Sequence, residues 1–106
     1  MANPDHVAVV RQGAKAIKKW RRENPEVRLD LCGVDLRDVD LTDADLGEAD
    51  LSDAMFAGAL LAGVHLGQAN LSDADLSGAT LLVTDMGGAD LTGADLSNAS
   101  LQEVSL

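Results

Sequence analysis

Side chains able to do covalent or acid–base chemistry are sparse in this chain. It has two histidines, one cysteine and no tyrosine, and its serines fall at turn-like positions with no obvious base beside them. No glycine-rich loop joins a strand to a helix, so the sequence offers no phosphate cradle. Aspartate alone is abundant, and nine aspartates share one register: Asp30, Asp35, Asp40, Asp45, Asp50, Asp75, Asp85, Asp90 and Asp95. Carboxylates that recur with a repeat are placed by structure before chemistry, because Asp side chains satisfy backbone groups in tight turns. No catalytic grouping, cofactor site or metal site emerges, and we read the chain as not an enzyme. The single Cys32 excludes an intramolecular disulfide and makes a reducing compartment the default.

The elements that must position these residues have little material to work with. A chain of 106 residues is one domain with a modest core, and only Trp20 and Phe56 are aromatic, so Leu and Ala supply the burial. The net charge of −10 is unevenly spread. Residues 1–37 hold eight bases against five acids, net +3, whereas residues 38–106 hold thirteen acids and no base. An acidic body of this kind disfavours nucleic acid and anionic membrane as partners. The start of the chain lacks a basic stretch followed by an apolar run, and no window approaches the ~20 apolar residues of a membrane span. The expectation is a soluble, cytoplasmic protein.

From Leu31 an apolar residue recurs every five positions to Leu106, and fourteen of the sixteen are Leu, with Phe56 and Met86 the exceptions. Two residues before each stands a second small or apolar residue: ten Ala, four Val, then Leu29 and Thr84. A helix cannot use this pattern, because five residues advance ~140° beyond a full turn and scatter the leucines around the axis. A long strand fails too, since an odd period changes face at each repeat. A short extended piece with two residues pointing inward, followed by a turn that resets the phase, satisfies it. Repeating that corner winds a solenoid, and Ala at the first inward position implies a cramped interior.

The stretches "LTDADLGEADLSDA" and "LTGADLSNASL" resemble the pentapeptide-repeat proteins, whose consensus is A(D/N)LXX, over residues 29–106. The resemblance implies an all-β solenoid, a right-handed quadrilateral parallel β-helix with twenty residues per coil and about four coils. It implies little about function. Residues 1–28 do not repeat. Asn3 can cap a helix, Pro4 suits its first position, and Val7, Val10, Ala14 and Ile17 form one stripe, so a single helix is predicted over 4–23, ended by Asn24-Pro25. That helix is expected to cap the first coil, whose edge would otherwise offer unpaired backbone groups. The last coil has no polar cap. The expectations there are dimerisation, simple exposure, or excision from a longer protein.

Stacking residues twenty apart turns the sequence into a surface map. No Asp, Glu, Lys or Arg occurs from Ala54 to Ser72, and on the face of Leu41, Leu61, Leu81 and Leu101 the outward residues Leu60, Ala62, Leu82 and Val83 converge. Met55 lies on the preceding face of the same coil. The patch is about 200–300 Å², and two readings stand: surface leucines beside a glycine-containing turn, or the apolar centre of a larger protein interface. His65 falls between Asp45 and Asp85 in the same stacking, giving an exposed histidine among solvated acids or a protonated imidazole paired with them. Lys18, Lys19, Trp20, Arg21 and Arg22 form a basic stretch with one aromatic, either serving the helix C-terminus and the acidic coils or binding an acidic partner.

The function expected from this reading is a non-catalytic structural or protein-interaction module. It would join a protein partner or a second copy, through the Leu60/Leu82 face or the uncapped C-terminal coil, without direct contact to nucleic acid or membrane. The resemblance implies an alternative, since some pentapeptide-repeat proteins mimic DNA, bind DNA gyrase and confer quinolone resistance. A third reading is an accessory domain of a longer protein.

Overall fold

The computed structural model describes residues 2–106. Helix α1 runs Pro4–Arg11, its first turn closed by Asn3, whose side chain accepts from the Asp5 N–H at 2.9 Å, with proline at the start where no N–H is needed. Helix α2 runs Ala14–Glu23. The single helix expected over 4–23 is therefore two. Gly13 sits at φ 95, outside helical space, although the Gln12 and Gly13 N–H groups still reach the Val9 and Val10 carbonyls at 3.0 Å. The apolar stripe survives the break. Val10 and Ile17 are fully buried in the common core, with Val7 and Ala14 packed beside them. Burying each of those two aliphatic side chains is worth about 1.5–3 kcal/mol, which holds a pair of short helices that would be marginal alone.

Both helices meet the first coil (29–48) through specific bonds. The Asp30 C=O accepts from Asn3 N–H at 3.1 Å, and the Asp30 N–H donates to His6 Nδ1 at 2.9 Å. The Asp35 C=O accepts from Arg11 Nη2 at 2.7 Å, and Arg21 Nε stands 3.4 Å from Asp45 Oδ2. His6 is buried, with its ring edge-to-face against Trp20 at 4.9 Å.

The coils are built from single-residue rungs. Among the described residues, twelve parallel bridges join residues twenty apart, from Asp30↔Asp50 to Asp85↔Ser105, four to each turn of the chain, so the cross-section is four-sided. At each rung a residue bonds both ways, as when Leu31 N–H donates to Asp50 C=O at 2.8 Å and Asp50 N–H to Leu29 C=O at 2.9 Å. Between rungs the chain turns within four residues. Val34 N–H donates to Leu31 C=O at 3.1 Å with Gly33 at φ 71, the positive φ at the third residue that a type II turn requires. The inward columns are dry: Leu31, Leu36, Leu41, Leu46, Leu51, Phe56 and their counterparts through Leu81 are fully buried. Beyond Met86 the interior opens, and Leu101 and Leu106 are 45% and 82% exposed.

The register aspartates serve the corners. Asp40 Oδ1 accepts from the Thr42 N–H at 3.0 Å and from its hydroxyl at 2.6 Å, and Asp50, Asp75, Asp90 and Asp95 repeat the arrangement with Ser or Thr two residues on. The donated bonds hold the carboxyls of Asp40, Asp90 and Asp95 below the usual range, hydroxyl first and N–H second. Asp35 accepts instead from the Arg37 guanidinium, which brings it down to about 2.

Two outcomes test this construction. Leu61→Ala empties a site with no room to collapse and is expected to lower stability by about 2–5 kcal/mol in urea unfolding; a loss under about 1 kcal/mol would show that the interior refills. A depressed carboxyl contributes stability above its unfolded pKa and loses it as pH falls through the folded value, so the Asp35 contribution is lost between pH 3.8 and about 2. Carbon-13 titration is expected to place Asp35 near 2, and Arg37→Met to return it toward 3.8.

Candidate docking face

One face of the solenoid carries three outward columns. The rung column is Asp40, Leu60, Thr80 and Ser100, joined by the bridges Asp40↔Leu60, Leu60↔Thr80 and Thr80↔Ser100. Beside it run the turn columns Thr42, Ala62, Leu82, Gln102 and Asp43, Gly63, Val83, Glu103, tied by Asp43 N–H to Ala62 C=O at 2.9 Å, Gly63 N–H to Leu82 C=O at 2.8 Å and Val83 N–H to Gln102 C=O at 2.9 Å. The stacking thus brings Leu60, Ala62, Leu82 and Val83 onto neighbouring positions of two successive coils. Leu60 is 46% and Val83 62% exposed, while Ala62 and Leu82 are half-buried. Met55 is half-buried on the preceding face, between Asp35 and Asp75.

Val83 is the anomaly of this face. The third residue of each corner needs φ above zero, and the other corners fill it with Gly, Asp, Glu, Gln or Asn; Val83 does so at φ 53. A β-branched side chain in the left-handed region crowds its own backbone. Around it, the next rung, Asp85 N–H to Val64 C=O, is stretched to 3.3 Å against 2.9 Å at Asp90, and Thr84 N–H, like Val104 N–H in the last coil, lacks the corner-closing bond that Ala79 N–H makes to Leu76 C=O at 3.1 Å. Thr84, buried at an inward position, turns its hydroxyl to the Leu61 C=O at 3.0 Å.

Acids ring the apolar centre. Asp40 and Asp43 stand one coil up and Glu103 one coil down, and the Asp43 carboxylate lies over Gly63, in space that a side chain there would fill. Past Asp43, a groove of about 420 Å³ runs between α2 and the coil, lined by Ala14, Lys15, Lys18, Asp43, Asp45 and His65. His65 Nδ1 is 3.9 Å from Asp85 Oδ2, both exposed, and Asp45 is engaged by Arg21. The basic stretch divides between two surroundings: Lys18, Lys19 and Arg22 face solvent, whereas Trp20 packs on the core with His6 and Arg21 turns to Asp45.

Sequence reasoning did not single out His6, Arg21 as the partner of Asp45, or the strain at Val83. Thr84 carried a signal, being the one polar residue in the first inward column. Replacing Val83 by Asn, which adopts the same corner position at Asn98 with φ 60, is expected to raise stability by about 1 kcal/mol and the Tm by about 4–8 °C; an unchanged or lower Tm would show that Val83 carries no strain.

The sequence signature of the "Pentapeptide repeats" family matches residues 28–55, 49–81 and 69–106, in eight copies. No curated protein sequence matches the chain. Among solved structures, a pentapeptide repeat protein of Nostoc PCC 7120 is 33% identical with a TM-score of 0.75, over 87% of this chain and 74% of that one. A thylakoid-lumen pentapeptide repeat protein of Arabidopsis thaliana is 37% identical with a TM-score of 0.70, over 71% of this chain and 52% of that one. A third, from the cyanobacterium Cyanothece 51142, is 37% identical with a TM-score of 0.68, over 69% of this chain and 50% of that one. The chain spans about half the length of the last two. The unbroken five-residue register, the four-sided parallel coil and these matches make the chain a member of the pentapeptide-repeat family, whose proteins form right-handed β-helices.

Proposed function

We propose that this chain is a non-catalytic interaction module: a rigid β-helical scaffold that docks a protein partner through the face of Leu60, Ala62, Leu82 and Val83. The observation that carries this reading is Val83, an exposed β-branched residue kept in a strained corner where Gly or Asn would fit better. Strain of this kind persists where the surroundings over-determine it, and it clusters at functional sites. The register aspartates accept corner bonds from residues two positions on, which gives them a structural role and supports a non-catalytic reading. In this reading α1 and α2 act as the cap of the first coil, covering the Asp30 and Asp35 backbone groups that would otherwise invite another chain.

The apolar centre is small. A stable interface takes about 800 Å² from each partner, so the contact must extend over the polar rim. DNA mimicry toward gyrase rests on the family resemblance and the acidic rod, and length argues against it: four coils at ~4.8 Å span about 19 Å, only about 6 base pairs.

The double variant Leu60→Glu with Leu82→Glu tests the docking face. Circular dichroism and Tm should stay close to wild type, while oligomeric state or recovery of a partner changes. Unchanged assembly and partner recovery would sink the reading.

A further inference from the structure

We infer that the partner of this face is a basic segment carrying an aliphatic anchor, not a second copy of the chain; the inference rests on the docking reading above. The apolar positions supply a seat with no polar demand of its own. Leu60 and Val83 are the exposed side chains, Leu82 and Ala62 are half-buried beside them, and the Asp43 carboxylate lies over Gly63 at the edge of the patch. An aliphatic side chain matches such an apolar patch, since it leaves no polar group of its own unpaired there.

The charges set the rest of the partner. Asp40 and Asp43 above and Glu103 below border the seat, and Asp85 stands two residues beyond Val83 on the same coil. Asp40 is fixed in its ionised form by the Thr42 hydroxyl and N–H. Arg37 pairs with Asp35 and Arg21 with Asp45, while Lys15 and Lys18 share a groove with Asp43 on one side of the face only, leaving Asp40 and Glu103 without a basic neighbour in that groove. A second copy apposing the same face by two-fold symmetry would set acidic rim against acidic rim, which like charges oppose. Lys and Arg flanking an aliphatic residue would instead meet the rim on both sides, and such rim contacts weaken with salt.

Three labelled nonapeptides, read by fluorescence anisotropy on the full chain, test this. The first has Leu-Val-Leu between two runs of three lysines, the second replaces the centre with three serines, and the third replaces the lysines with glutamates. The lysine peptide with the aliphatic centre is expected to bind at least about tenfold tighter than the serine one, and to weaken at least tenfold from 50 to 500 mM NaCl. The glutamate peptide is expected not to bind. In the double variant Leu82→Thr with Val83→Asn, whose folding is checked by its Tm, the aliphatic peptide should fall to the affinity of the serine peptide. Equal affinity of the two lysine peptides for wild type, or no effect of the double variant, overturns the inference. If no peptide binds but Leu60→Glu with Leu82→Glu dissolves a self-association, the docking reading survives and the basic partner does not. If neither occurs, both fail.

Discussion

Every corner of this molecule must pass through the left-handed region of backbone space at one residue in five. That requirement sets the rest. It fixes which positions take Gly, Asp or Asn, it fixes the phase at which Leu points inward, and through both it fixes the twenty-residue stacking that brings distant segments together on one face. The rungs are too short to hold a sheet by length. Their regularity does it instead, each residue bonding to the coils on either side while its neighbours fill a dry interior.

The same requirement explains what the aspartates do. At the rung position Asp accepts from the N–H and hydroxyl two residues on, pinning the entry to the corner. At the corner itself Asp tolerates positive φ, as at Asp38, Asp43, Asp53 and Asp73. Coils that use acids for both jobs become acidic as a by-product. Net charge here is therefore a weak guide to function, and the informative positions are those where the acid is missing.

The inward columns were legible in the sequence because five-residue periodicity maps directly onto burial, and the neighbouring placement of Leu60, Ala62, Leu82 and Val83 followed once twenty residues were assigned to a coil. The break at Gly13 was not, since the stripe Val7, Val10, Ala14, Ile17 keeps helical spacing across it. Nor was the burial of His6 and Trp20: a basic, aromatic-containing run reads as surface until a helix is laid on a coil and one side of it disappears. The strain at Val83 needed a backbone angle. In the sequence Val83 is one apolar residue among many, and only the shared φ of its column mates shows it to be out of place.

The parallel register also governs how this surface can change over evolutionary time. Inserting or deleting one repeat leaves every inward residue inward, so the fold tolerates it, but each outward residue beyond that point moves round by one side of the square. A face assembled from two coils, such as Leu60 with Val83, is split by any such event falling between them, whereas a whole added turn of twenty separates them along the axis without moving them round it. A recognition surface on this scaffold is thus held together by repeat number between its parts, a counting rule that no single residue enforces.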